Sequence, residues 1–150
     1  MLFRSVCEVM ARTDVLVINE TEAESISGHS DIEEAASLLK SRIRGDIVII
    51  KLGAQGATAF FGGESIHVPA VPGCIPADPT GCGDSFIGTL AAHMAINIRA
   101  GRAPEHSLRD SMVDATVAAS LALEGFSIQA IESAGQVEYS RRAAAVESIV

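Results

Sequence analysis

Cysteine is scarce in this sequence: Cys7, Cys74 and Cys82 are odd in number and show no CxxC spacing. Neither a disulfide framework nor a zinc site is suggested, and a reducing cytoplasm is the simplest compartment. Basic residues are also few. Eleven Lys and Arg against nineteen Asp and Glu leave a formal charge of −8, which argues against a nucleic-acid or anionic-membrane partner, because such surfaces need locally concentrated positive charge. The one basic pair, Arg141-Arg142, reads as a solvated helix face. No apolar run approaches the roughly 20 residues that cross a bilayer. The leading MLFRSVCEVMARTD is broken by Arg4 and Glu8 before it reaches signal-peptide length. Neither GxxxxGK(S/T) nor GxGxxG occurs, so the two commonest nucleotide-binding loops are missing.

What is present suits one packed α/β domain over residues 1–150, with 48% hydrophobic residues to fill a core. Asp14-Val-Leu-Val-Ile18 and Ile47-Val-Ile-Ile50 are short, β-branched apolar runs that read as strands buried on both faces. Between them, Thr21 to Ser27 forms a short helix stopped at Gly28. Ser30 and Glu33 have the spacing of a capping box for an amphipathic helix carrying Ile32, Ala35, Ala36, Leu39 and Ile43, which Gly45 can end. This is the pattern of a βαβ unit in a parallel sheet. Ala57 to Phe61 and Glu64 to Val68 flank Gly62-Gly63, a two-residue hairpin connection, and are expected as antiparallel additions at an edge.

Four prolines, Pro69, Pro72, Pro76 and Pro79, punctuate an extended approach to Thr80-Gly-Cys-Gly-Asp84. Two helices follow, over about 86–99 and about 105–124 by periodicity. In the first, Phe86, Ile87, Leu90, Ala91, Met94, Ala95 and Ile98 recur at three- and four-residue steps and predict one buried face. In the second, Met112 to Leu123 is apolar nearly all round and is expected to lie against the sheet with little solvent contact. A last helix is expected from Val137 to Val150.

A glycine-rich turn feeding a helix N-terminus makes an anion site, because free backbone amides and the positive end of the helix dipole point at the same place. Ligands of open parallel sheets collect beyond the carboxyl ends of the strands. Asn19 follows the first strand, and Lys51-Leu-Gly53 follows the second. If these ends converge with the glycine turn, Asn19, Glu22, Gly53, the turn amides and Asp84 face one crevice suited to nucleotide phosphates. Each residue also has a plainer reading: Asp84 as a helix N-cap, Glu22 as a solvated first-turn acid, Lys51 as a strand end with its amine in water, Cys82 as a compact filler or else a thiolate at a helix start. His29, His67, His93 and His106 lack metal spacing and read as structural or exposed.

The segment Ala77-Asp-Pro-Thr-Gly-Cys-Gly-Asp-Ser-Phe86 resembles the second signature of the ribokinase-like (PfkB) carbohydrate kinases, DTxGAGDxF, with Pro79 and Cys82 as departures. Asn19-Glu-Thr-Glu22 is similar to that family's NxxE motif. Lys51-Leu-Gly-Ala-Gln-Gly56 is similar to its nucleotide-contacting LGxxG turn, and the order and spacing of all three agree. Ala118 to Phe126 is similar to a helix near the nucleotide in a subset of sugar and nucleoside kinases. The resemblance implies a ribokinase-like three-layer α/β/α sandwich, here its C-terminal half, with a mostly parallel sheet and an antiparallel hairpin at the edge.

The resemblance also implies transfer of the ATP γ-phosphoryl group to a hydroxyl of a sugar or nucleoside. Asp84 would be the base, and the amides of Gly81, Cys82 and Gly83 would stabilise charge on the phosphoryl oxygens. Asn19, Glu22, Lys51, Gly53, Gly56 and Asp114 would serve the nucleotide, with Glu22 organising magnesium indirectly. Asp78 and Thr80 match positions that hold a monovalent cation, potassium, in many relatives. Asp114 otherwise reads as a polar helix-face residue. Family members are considerably longer, and the part without a counterpart here is the N-terminal substrate and lid half. The chain therefore reads as the nucleotide-binding half of a kinase, completed by that half or by a homodimer partner, with a nucleotide-binding or structural remnant without turnover as the alternative.

Overall fold

The structure, a computed structural model, describes residues 2–125 and 129–149. The chain divides into two compact units, Met1–His67 and Val68–Val150. In the first, α1 (Leu2–Met10) leads to β1 (Val15–Asn19). Then come α2 (Glu20–Ser27), α3 (Ile32–Lys40), β2 (Ile47–Lys51), a 3-10 turn at Gly53–Gln55, β3 (Ala57–Phe61) and β4 (Glu64–Val68). The strands form one sheet in the order β1-β2-β3-β4. β1 and β2 are parallel, with Val15 opposite Ile47 and Asn19 opposite Lys51, and β2 and β3 are antiparallel. Gly62 and Gly63, with φ of 54° and 89°, supply the left-handed conformations that a two-residue hairpin requires. The sheet is thus mixed rather than mostly parallel, because the expected hairpin provides half its strands.

One face of the sheet, carrying Ile18, Val48, Ile50 and Phe60, packs on Met10, Ala23, Ala35, Ala36, Leu39 and Ile43. The small residues of α2 and α3 let the helices approach closely, and full burial of Leu39 contributes about 2 kcal/mol. Val48, Ile49 and Ile50 are all fully buried, as a strand covered on both faces should be. β1 departs from that expectation: Val15, Leu16 and Val17 are only half-buried, since among the described residues β1 is an edge strand.

Helix ends also differ in detail from the sequence reading. Asp31, not Ser30, caps α3, its Oδ1 accepting from the amides of Glu33 and Glu34 at 2.9 Å. The capping box lies one helix earlier, at Asn19 and Glu22, while Gly28 ends α2 in the left-handed conformation as expected. α3 stops at Lys40, so Gly45 is not its terminator. Glycine is required there for another reason: the amides of Arg44 and Gly45 both donate to Thr13 O, at 3.0 and 3.1 Å. That approach would put a Cβ on Gly45 1.9 Å from Asp14 O.

The second unit begins with an irregular, proline-rich stretch and continues as α4 (Cys82–Arg99), α5 (Pro104–Leu123), α6 (Gln129–Ser133) and α7 (Gln136–Glu147). α4 starts earlier than the periodicity indicates, since glycines carry no hydrophobic signal. α4 and α5 form a helical hairpin joined by polar contacts: Arg102 pairs with Asp110 at 2.6 Å, Asn97 Nδ2 donates to Ser111 Oγ at 3.3 Å, and His93 Nδ1 meets Asp114. Leu108, Met112, Val113, Ala115, Val117 and Leu121 are buried together with Ser107, Ser111, Thr116 and Ser120, so α5 is enclosed nearly all round. The single buried face expected for α4 is narrower than its periodicity suggests. Phe86 and Leu90 are buried, yet Ile87, Ala91, Ala95 and Ile98 are exposed.

Arg142 corrects the reading of a solvated basic pair. Arg141 is exposed, but Arg142 is 8% exposed and meets Glu124, Glu138 Oε1 at 2.7 Å and Ser120 Oγ at 3.0 Å. Successive helical residues point about 100° apart, so one of an adjacent pair can face solvent and the other the core. The last helix ends at Glu147 rather than Val150.

Two outcomes are expected. Gly45→Ala should destabilise the chain by about 3 kcal/mol, because the added methyl meets backbone that cannot rotate away. Gly53→Ala, where a Cβ has open space and only φ is strained, should cost about 1 kcal/mol, and urea unfolding of the two variants gives the comparison. The second concerns acid. Arg141 and then Arg142 pull Glu138 from its ordinary 4.5 down to about 2. A depressed carboxylate contributes stability that is complete above about 4.5 and is lost as pH falls through about 2. Helical circular dichroism should therefore show a weaker pH dependence across this window in Glu138→Gln than in wild type.

Candidate functional site

The sequence-predicted residues fall into two groups, one in each unit. In the first unit, Asn19 and Lys51 are the last residues of β1 and β2 and register partners, so adjacent parallel strands bring them to the same sheet end. Asn19 is also the N-cap of α2: its Oδ1 accepts from the Glu22 amide at 2.8 Å, and Glu22 Oε2 accepts from the Asn19 amide at 2.9 Å. This reciprocal pair satisfies two backbone donors and fixes the Glu22 side chain, leaving its second carboxylate oxygen available. The capping role was legible in the Asn-x-x-Glu spacing but was missed in reading the motif for metal and phosphate.

Lys51 leads into a closed turn in which the Leu52 amide donates to Gly56 O at 2.7 Å and the Gly56 amide to Gly53 O at 3.1 Å. Gly53 and Gly56 have φ of 57° and 100°, conformations that L side chains rarely adopt. The turn therefore needs both glycines for its backbone path, and Gly53 lies exposed at its start.

In the second unit, Asp78 Oδ1 accepts from the Thr80 amide at 2.9 Å, an Asx turn that begins the bend. That bond and the Thr80 hydroxyl hold the Asp78 carboxyl below the usual range. Gly81 follows with φ of 86° as the N-cap of α4, with no side-chain cap. The Cys82 amide folds back onto Pro79 O at 3.2 Å, so it is engaged within the turn and is not a ready ligand donor as expected. Among the described residues the amides of Gly81, Gly83 and Asp84 have no acceptor. These are the orphan donors of a helix start. Asp84 occupies the third helical position, is exposed, and makes no capping bond; the reading of it as an N-cap does not hold. A backbone anion cradle with an exposed carboxylate beside it can bind a phosphoryl group and accept a proton from a group attacking it.

Asp114 sits in the second unit as a tie between helices. It meets His93 of α4 and accepts from Tyr139 Oη of α7 at 2.7 Å. Burial and that bond hold the Tyr139 hydroxyl well above its ordinary value, so it stays a donor. His29 pairs with Glu34, His67 bonds Thr58 at 2.9 Å, and His106 is exposed. A shallow groove of about 590 Å³ beside α3, lined by His29, Glu33, Glu34, Ser37, Leu38 and Ser41, contains none of the predicted residues. Among the described residues no cluster of three His, Cys, Asp or Glu could hold a metal, and no helix is long and apolar enough to cross a membrane. Phe126, the last residue of the helix likened to one near a nucleotide, lies outside the described residues.

Comparison with known proteins bears on both groups. A fructokinase of Klebsiella pneumoniae is 33% identical over 86 residues, 57% of this chain and 28% of that protein. Aminoimidazole riboside kinase from Salmonella enterica, complexed with aminoimidazole riboside and an ATP analog, superposes with a TM-score of 0.79 at 23% identity, covering 95% of this chain and 46% of that one. Fructokinase from Vibrio cholerae O395 with fructose, ADP and calcium ion gives 0.80 at 22%, covering 95% and 44%. A double mutant of that enzyme with fructose, ADP and potassium ion matches with the same figures. The chain spans less than half the length of these relatives, and its fold is theirs, the α/β fold of ribokinase-like kinases. The family model of the pfkB family carbohydrate kinases matches residues 3–134, which include the Asn19-Glu22 cap, the Gly53–Gly56 turn and the amide cradle before Asp84: the chain belongs to that family.

Proposed function

We propose that this chain is the C-terminal, nucleotide-binding half of a PfkB-type kinase domain and that it takes part in ATP-dependent phosphoryl transfer to a hydroxyl of a sugar or nucleoside. The observation that carries the reading is the start of α4, where acceptorless amides and the exposed Asp84 carboxylate occupy one helical turn. ATP would supply the γ-phosphoryl group, and magnesium, when bound with it, would neutralise charge on the phosphates. Glu22, with one oxygen fixed by its cap and the other available, suits an indirect role toward that ion. Asn19, Lys51, Gly53 and Gly56 are the nucleotide-side residues of the first unit. Asp114, tied to His93 and Tyr139, would act on the nucleotide side of the second unit by holding α5 in place. Asp78 and Thr80 are assigned to a potassium site.

In the transfer, the acceptor oxygen bonds to the γ-phosphorus as the bond to the β,γ-bridging oxygen breaks. The hydroxyl proton passes to Asp84, and ADP leaves. The amides of Gly81, Gly83 and Asp84 meet the charge spread over the phosphoryl oxygens. They need no reorganisation, since they belong to a turn and helix start that are already formed.

Completion by a further half of the domain, on the same polypeptide or another, is supported by two surfaces. β1 is an apolar parallel strand with an unpaired side among the described residues, a position that proteins ordinarily cover. α4 exposes Ile87, Ile96 and Ile98, at 40%, 62% and 61%. The second reading, nucleotide binding without turnover, is favoured by the chain's coverage of under half its relatives.

The test is phosphate transfer from Mg-ATP to a panel of sugars and nucleosides, with the chain assayed alone and together with a complementary half. Asp84→Asn should lower transfer by roughly 10²–10⁴-fold while calorimetry finds ATP binding retained; undiminished transfer would place the base elsewhere. ATP binding with no transfer under any condition would favour the second reading. Gly81→Ala, which meets no neighbour but must adopt a left-handed φ, should weaken ATP binding at a stability cost of about 1 kcal/mol.

A further inference from the structure

We propose that Glu124, oriented by the buried Arg142, is a positioning residue for the Gly81 turn. The inference rests on the reading of that turn as an anion cradle, and it assigns a role to a carboxylate that lies 43 positions after Gly81 in the sequence. The stretch before the turn cannot be held by burial of its own side chains. Ile75 is 77% exposed, and Pro76 and Ala77 are exposed as well. It is held by its backbone.

The C-terminal end of α5 takes three amides of this stretch. Leu123 O accepts from Ala77 at 2.8 Å and from Asp78 at 3.1 Å, and Glu124 Oε1 accepts from Ile75 at 2.8 Å. Asp78 then accepts from Thr80, and Gly81 is next in the chain. The other Glu124 oxygen is engaged by Arg142. That guanidinium is itself fixed by Glu138 Oε1 and Ser120 Oγ, and its Nη1 lies 3.8 Å from Cys74 Sγ, one residue before Ile75.

The two oxygens of Glu124 thus divide their work. One is locked to a buried charge, and this sets the rotamer that presents the other to the loop. The Ile75 amide, ahead of Arg142, is the main reason the Glu124 carboxyl lies below its ordinary value, as expected of a carboxylate that accepts a backbone bond. Burial raises the Cys74 thiol, so it remains neutral beside the guanidinium and does not compete with Glu124 for it.

A three-variant series separates loop positioning from charge pairing. Glu124→Asp keeps the charge for Arg142 but draws back from Ile75 by one methylene, Glu124→Gln keeps the reach but has one acceptor for two donors, the Ile75 amide and Arg142, and Glu124→Ala loses both. In the isotope-labelled full chain, hydrogen exchange at Ile75 should quicken and the Gly81 amide and Cα shifts should move in all three. Amides of α4 and α5 serve as the control for folding, and should Gln or Ala unfold, Asp carries the result. Affinity for Mg-ATP should fall about tenfold in Asp, the size expected for one lost hydrogen bond. Gly81 shifts unchanged in Asp, or moved only where the charge is lost, would overturn the proposal. A wild-type chain that binds no Mg-ATP, with Gly81 still responding to reach, would remove the anion-cradle reading and leave the positioning of the turn established.

Discussion

The first amides of a helix have no carbonyl one turn earlier to receive them, and in this protein the consequence is resolved differently at different helices. α2 closes its start with the reciprocal bonds of Asn19 and Glu22, and α3 with the Asp31 carboxylate. Such a cap is worth about 1 kcal/mol. α4 forgoes it: a left-handed glycine occupies the N-cap, and the amides of Gly81, Gly83 and Asp84 remain without an acceptor among the described residues. A glycine in that conformation brings no side chain that could fold back on the amides. The stability lost locally and the anion binding proposed for this turn have the same physical origin, backbone donors left open.

An open helix start is useful only if its geometry is fixed by something other than its own hydrogen bonds. Here the C-terminal end of α5, whose orphan carbonyls need donors just as the α4 amides need acceptors, supplies the fixing. Leu123 O takes the Ala77 and Asp78 amides, and Glu124 takes that of Ile75. The buried Arg142 makes the arrangement rigid, because a guanidinium with little solvent must keep its partners or leave a charge unpaired in low dielectric. Such an ion pair is weak evidence for stability. It is stronger evidence for a defined conformation, since each partner has one orientation that satisfies it.

How far the sequence disclosed all this depended on the kind of signal. Ile47 to Ile50 could be read as a fully buried strand because four consecutive β-branched residues leave little choice, and Gly62-Gly63 marked its hairpin because two left-handed residues in a row demand it. The turn and the helix start after it were legible in Thr80 to Asp84 because glycine and proline punctuate backbone paths. Arg142 was not legible: charge type gives no direction around a helix, and the partners that bury it, Glu124 and Ser120, are on α5. Gly45 misled for a similar reason. It sits after a helix, where a terminator is expected, yet its role is set by Asp14, 31 positions earlier in the chain. The Cys82 amide was miscounted as free because the sequence shows which residues can bend but not which carbonyl the bend brings near.

The exposed face of α4 belongs to a different class of discrepancy, in which the periodic signal is present and the burial is not. Phe86 and Leu90 find partners, while Ile87, Ala91, Ala95 and Ile98, at equally regular helical spacing, face outward. A sequence under no pressure to cover that face has little reason to keep isoleucine on it. Leaving two isoleucines in water forgoes on the order of a few kcal/mol of burial, a large share of the stability of a small domain. β1 presents the same contradiction in a sheet: Val15, Leu16 and Val17 have the composition of an interior strand and the position of an edge. Periodicity in a sequence records the surface it is selected to bury. A helix of one unit and a strand of the other thus each carry an interior pattern without an interior among the described residues, and relatives more than twice as long share the fold.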